Sequence, residues 1–133
     1  MKKLVLIAAL AALSACNNNA SEPAAQPSAK VATVAANTSL ATDGMPNVGT
    51  YEVTLPDGKV VTQTVNADGT FASVKDGKTT KGTWTSTGPG NFCETEEGKT
   101  EPSCYAEAIS ADKVWTSINV KDPKDHSTVK RLS

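Results

Sequence analysis

Three cysteines, one histidine and a cluster of glutamates are the residues of this 133-residue chain whose types and spacing could do chemistry. A Ser-His-Asp nucleophile needs a histidine base, and His126 lies among lysines and aspartates near the C-terminus, where it reads as a solvated loop residue. No Gly-x-Ser-x-Gly, phosphate-binding loop or His-Glu-x-x-His pattern occurs. Redox thiols usually come as Cys-x-x-Cys and a zinc site needs four ligands, requirements that Cys93 and Cys104 do not meet. Glu94, Glu96, Glu97 and Glu101 crowd the stretch between those two cysteines. Clustered carboxylates suit calcium or a cationic partner, but none of the Asp-Gly turns extends into Asp-x-Asp-x-Asp-Gly. Paired carboxylates for glycoside cleavage could be drawn from the same set, without a sugar-binding aromatic platform to support them. The residues therefore name no catalytic group, no metal and no cofactor, and leave the four glutamates as candidates for contact with a partner.

The remaining cysteine belongs to a different chemistry. Lys2 and Lys3 precede nine apolar residues, Leu4 to Ala12, a run too short to span a bilayer, which needs about 20. Residues 1–15 therefore read as a cleavable signal. Leu13-Ser14-Ala15-Cys16 resembles the lipobox of bacterial lipoproteins, and the resemblance covers this targeting segment only. It implies a diacylglyceryl thioether on Cys16, cleavage just before it and acylation of the new amine. Two or more acyl chains give stable anchoring at about 0.8 kcal/mol per buried methylene, so the protein is expected to be tethered to a membrane through Cys16. An ordinary secretory signal followed by a chance cysteine is the alternative. Gram-negative lipoproteins kept at the inner membrane carry Asp after the acylated Cys; Asn17 in that place implies the outer membrane, facing the periplasm.

Given that compartment, Cys93 and Cys104 are an even pair in an oxidising environment and are expected to form a disulfide. The chain-entropy model assigns such a loop roughly 3 kcal/mol. Losing Lys2 and Lys3 with the signal moves the formal charge from −1 to −3, which argues against nucleic acid, a ligand that calls for a basic patch. Residues 16–48 are rich in Ala, Asn, Ser, Thr and Pro, with Leu40 and Met45 the only large apolar side chains, and read as a flexible tether. Residues 30–36 could hold a short helix or strand.

The elements that must position everything else begin at Gly49. Tyr51, Val53 and Leu55 alternate with polar residues, the period of a half-buried strand. Asp57-Gly58, Asp68-Gly69 and Asp76-Gly77 follow at spacings of eleven and eight residues, which predicts consecutive antiparallel hairpins. Further strands are expected near 91–95, 103–109, 114–120 and 127–132. The fold class is all-β: about eight short strands in an up-and-down meander over residues 49–133, closed or nearly closed into a small barrel. A two-sheet sandwich is the alternative. The expected interior comprises Tyr51, Val53, Leu55, Val61, Val65 and Phe71, followed by Trp84, Phe92, Tyr105, Ile109, Ile118 and Val129. On the seventh strand Val114, Ile118 and Val120 share one face and Trp115 the other, so Trp115 is either a shielded, half-exposed aromatic or a contact point for a partner.

Gly82-Thr83-Trp84 is similar to the Gly-x-Trp of lipocalins, in which the Trp closes a barrel end beneath an Arg from a late strand. In lipocalins the motif lies on the first strand and here on the fourth, so what carries over is a core Trp with a cation–π contact to Arg131. Lipoprotein lysozyme inhibitors also place a small disulfide-bearing β-barrel on a lipid anchor. Their Ser-Gly-x-x-Tyr loop is missing, since Ser86-Thr87-Gly88 inserts a residue, and no site carries over. These readings converge on a non-enzymatic envelope lipoprotein binding a periplasmic protein or envelope polymer through Glu94, Glu96, Glu97, Glu101 and Trp115. A carrier of a small apolar ligand is the alternative; it requires a cavity of at least a few hundred Å³ lined by Tyr51, Phe71 and Trp84. A cell-wall hydrolase is the minor one.

Overall fold

The computed structural model describes residues 37–133. The signal, Cys16 and residues 30–36 lie outside the described residues. Eight strands follow one another: β1 (Gly49–Thr54), β2 (Val60–Val65), β3 (Thr70–Lys75), β4 (Lys78–Gly88), β5 (Asn91–Glu96), β6 (Ser103–Ile109), β7 (Trp115–Asn119) and β8 (His126–Arg131). Each pairs antiparallel with the next, and β8 returns to β1, closing an up-and-down barrel. The Asp-Gly turns act as their chemistry dictates. Asp57 and Asp68 each accept a hydrogen bond from the backbone N–H two residues on, at 3.0 and 2.9 Å. Asp76 and Gly77 both take positive φ, 50° and 77°, so the β3–β4 turn twists with its strands.

Period-two alternation sends every second side chain inward. Tyr51, Val65, Phe71, Trp84, Phe92 and Trp115 are buried together, near the strand ends where β1 starts and β8 finishes. Trp84 stacks on Phe92 at 5.8 Å and its Nε1–H donates to the Asn66 carbonyl at 2.8 Å, while Tyr51 meets Trp115 edge to face at 5.7 Å. Gly82 permits this packing, because a Cβ there would overlap the Thr95 carbonyl and the Phe71 ring.

Two expected interior residues are corrected. Ile118 is 40% exposed, because the register Trp115↔Val129 and Ser117↔Ser127 turns Trp115 and Ser117 inward and Ile118 outward. Ile109 pairs with Trp115 and has the inward parity, yet it ends β6 at the rim and is 39% exposed. Trp115 itself is buried, 6% exposed, so it is neither a half-exposed aromatic nor a surface contact point.

The reading of residues 16–48 as tether is corrected for its last third. Ala41 and Asn47 are buried, and residues 37–48 pack across the barrel end that holds the aromatic residues. An isolated bridge joins Leu40 to Pro46, Asn37 N–H donates to the Ala67 carbonyl, and Tyr51 Oη–H donates to the Asn47 carbonyl at 2.7 Å. Arg131 locks the segment. Its Nε and Nη2 donate to the two Asp43 carboxylate oxygens at 2.7 and 3.1 Å, and Nη2 also reaches the Pro46 carbonyl at 3.0 Å. The guanidinium lies 4.7 Å from the Tyr51 ring centroid and 6.0 Å from that of Trp115. The cation–π partners of Arg131 are thus Tyr51 and Trp115; the expected contact with Trp84 is replaced, since that indole faces Phe92 and Asn66.

Candidate functional site

The strands that crowd large side chains at one end place small and polar ones in the other half of the barrel. Ser73, Ser117 and Ser127 point inward where bulky residues would otherwise meet, and the space they leave is a cavity of about 140 Å³. One wall, from β8, β1 and β2, is formed by Val53, Val61, Val65 and Val129, with Gln63 between Val61 and Val65. The other, from β5, β6 and β7, carries Phe92 and Glu94, then Tyr105, Glu107 and the Trp115 indole. Leu55 and Asp125, at the strand ends opposite residues 37–48, mark where the cavity reaches the rim.

Among the described residues, three carboxyl groups and no lysine, arginine or histidine line this space. Burial raises the Glu94 carboxyl above its ordinary value, a hydrogen bond from Gln63 Nε2 at 2.7 Å offsets part of the rise, and the charges of Glu96 and Asp125 add to it. Glu107 is pushed up to about 7, mainly by burial, with the neighbouring Trp115 N–H acting in the opposite direction. Tyr105 is pushed up to about 12 by burial and by Glu94, Asp125 and Glu96. Every titratable group on this wall is therefore shifted in the direction that disfavours negative charge. The Trp115 Nε1–H, although beside Glu107, makes no hydrogen bond of good geometry and is the buried side-chain polar atom left without a partner among the described residues.

The glutamates singled out from the sequence separate into two environments. Glu94 has inward parity, opposite Trp84 and Ser103, and belongs to the cavity. It is not part of an exposed acidic loop, because its strand position decides which way it points. Glu96 closes a pair with Lys99 at 2.9 Å and Glu101 with Lys121 at 3.1 Å, both exposed, while Glu97 is exposed and makes no salt bridge among the described residues. Cys93 and Cys104 face each other across β5 and β6 and are bonded as a disulfide on the outer side of the barrel. His126 opens β8 and is exposed.

Sequence reasoning missed Glu107, Gln63 and the inward serines. Glu107 did carry a signal: it sits between Tyr105 and Ile109 in the alternation, which gives it interior parity despite its charge. Compared with protein-family models, curated proteins and solved structures, the chain matches none, so its function has to be argued from this geometry alone.

Proposed function

We propose that the chain is a non-enzymatic lipoprotein of the bacterial cell envelope, anchored by acyl chains on Cys16 at the periplasmic face of the outer membrane, whose β-barrel binds a periplasmic protein. The observation that carries the binding reading is an apolar stripe on the outer face of β6 and β7. Ala106 pairs with Ile118 and Ala108 with Thr116, and Val114, Ile118 and Val120, on the same face as Thr116, are 44%, 40% and 56% exposed. Contiguous exposed apolar surface rimmed by charge is characteristic of protein contact sites. The rim here comprises Glu101 paired with Lys121, which follows Val120 in the chain. An envelope polymer would be favoured by a polar or aromatic groove instead.

The apolar-ligand carrier has less support. Its cavity was to be a few hundred Å³ and lined by Tyr51, Phe71 and Trp84, whereas the observed one is about 140 Å³, polar on one wall, and has only Tyr51 of those three in its lining.

In-cell photocrosslinking tests the proposal. A photoreactive residue in place of Ile118 should give a defined protein adduct by mass spectrometry, and one in place of the exposed Thr62 on β2, across the barrel, should not. Charge reversal at Glu101 should lower the Ile118 yield a few-fold. Adducts of equal yield from both positions, or none from Ile118, would refute this interface.

A further inference from the structure

Four Asp-Gly pairs occur in the chain, Asp43-Gly44, Asp57-Gly58, Asp68-Gly69 and Asp76-Gly77, and all lie outside the strands. Such a pair is a reactive site in the backbone itself. The amide nitrogen of the second residue can attack the side-chain carboxyl of the first, and Gly, having no Cβ, leaves that nitrogen unshielded. The attack requires an N–H that is not held by an acceptor and a carboxyl free to swing onto the nitrogen. Each hydrogen bond on either group has to be broken first.

At three of the four pairs both reacting groups are held. The N–H groups of Gly44, Gly58 and Gly69 donate to the carbonyls of Ala41, Leu55 and Asn66 at 3.0, 2.9 and 3.2 Å. The carboxyls before them accept from the N–H two residues on: Asp43 from Met45 at 3.0 Å, Asp57 from Lys59 at 3.0 Å and Asp68 from Thr70 at 2.9 Å. Asp43 is held further by the Arg131 guanidinium and Asp68 by the Thr70 hydroxyl. Asp76-Gly77 differs on both counts. Among the described residues the Gly77 N–H has no acceptor, and the Asp76 carboxyl is held only by Lys59 Nζ at 3.1 Å, with the Lys59 and Asp76 side chains 52% and 65% exposed. An ion pair so exposed restrains the carboxyl little. Asp76 also sits at φ 50°, a left-handed conformation unfavourable for a residue with a Cβ, and none of the other three Asp residues does. A Cβ built on Gly77 would meet no atom within 4 Å, so a ring formed there has room and water reaches it.

We propose that Asp76-Gly77 is a site of spontaneous backbone modification in the folded protein, converting Asp76 to isoaspartate. The Gly77 nitrogen bonds to Asp76 Cγ, its proton and the carboxyl hydroxyl leave together as water, and a five-membered succinimide forms. Water then opens the ring. Addition at Cγ restores Asp76, whereas addition at the Asp76 backbone carbonyl carbon breaks the original peptide bond and leaves the chain running through Cβ and Cγ. One water is lost and one regained, and no oxidation state changes. The product adds one atom to the two-residue turn between the paired Lys75 and Lys78 and shortens the arm that carries the carboxylate toward Lys59. It thereby loosens the link between the β1–β2 and β3–β4 turns at the cavity rim. The site depends on neither the outer interface nor the anchor.

The test is ageing of the full chain, purified in detergent, for several weeks at neutral pH and physiological temperature, beside a sample reduced and unfolded in urea. Isoaspartate is quantified at all four pairs by peptide mapping, with fragmentation that separates the two linkages. In the folded chain Asp76 should isomerise on the order of tenfold or more faster than Asp43, Asp57 or Asp68, because each hydrogen bond broken at those sites is a factor of about five. In urea the four pairs should react at comparable rates, since only the fold distinguishes them. Equal rates at the four pairs in the folded chain, a faster rate at Asp43, Asp57 or Asp68 than at Asp76, isomerisation of Asp76 only in urea, or the same hierarchy persisting in urea would each overturn the proposal.

Discussion

Glu107 shows how a single inward residue shapes the behaviour of the whole barrel. Its carboxyl is raised to about 7 in the folded chain, mainly by burial, against an ordinary value near 4.5. Between those two pH values the folded state holds a proton that the unfolded state has released, so this group's contribution to stability is complete below about 4.5, falls as pH rises, and is gone above about 7. The loss is on the order of 3 kcal/mol. E107Q should flatten the stability profile across that window and make the protein more stable than its parent at pH 8, as read by chemical denaturation at a series of pH values. A variant whose profile runs parallel to the parent's would show that Glu107 does not carry the term. Trp115 teaches the complementary lesson: its place was ambiguous in the sequence because Val114, Ile118 and Val120 compete for the interior, and the register against β8 settled it in favour of the indole.

At the level of elements, the segment formed by residues 37–48 behaves as part of the domain, held mainly by one ion pair. Burial would raise the Asp43 carboxyl, but hydrogen bonds from Arg131 and the Met45 N–H, together with the guanidinium charge, outweigh it and hold it below its ordinary value. The Arg131 and Asp43 side chains are 18% and 20% exposed, so the pair is shielded from most solvent screening. R131A leaves the Asp43 carboxylate with the Met45 N–H but without the guanidinium, removes the Arg131 donor from the Pro46 carbonyl, and exposes the faces of Tyr51 and Trp115 that the guanidinium covers. It should cost about 2 to 4 kcal/mol of unfolding free energy and speed amide exchange at Ala41 and Asn47 ahead of the strands. Exchange that accelerates evenly through the barrel would count against a locally held segment. The hairpins were legible because Asp-Gly has a strong turn chemistry and the strands alternate. The packed segment was not, because Ala, Asn, Asp and Pro have the composition of a linker, and only contact with Arg131, some eighty-eight residues away, gives them a place.

For the whole molecule, the proposed anchor and the described barrel assign different tasks to different stretches of chain. Purification from membranes should yield an N-terminal peptide beginning at Cys16 with the mass of a diacylglyceryl group and an amide-linked acyl chain, and C16S should shift the protein to the soluble fraction. An unmodified Cys16 in membrane-extracted protein would remove the anchor from the proposal. The barrel's two ends are also unlike, one covered by residues 37–48 and the other reaching the polar cavity. The sequence by itself determined the all-β class, the number and order of the strands, the pairing of Cys93 with Cys104 and the burial of Trp84, because alternation, turn chemistry and cysteine parity act over short stretches of chain. Only the tertiary structure decided closure of the barrel, the inward placing of Trp115 and the outward placing of Ile118, the docking of residues 37–48, and the meeting of Glu94, Glu107 and Asp125 in one cavity. Those outcomes depend on the register between strands and on how much volume opposing side chains fill, and a one-residue slip would reverse them while leaving every local pattern unchanged.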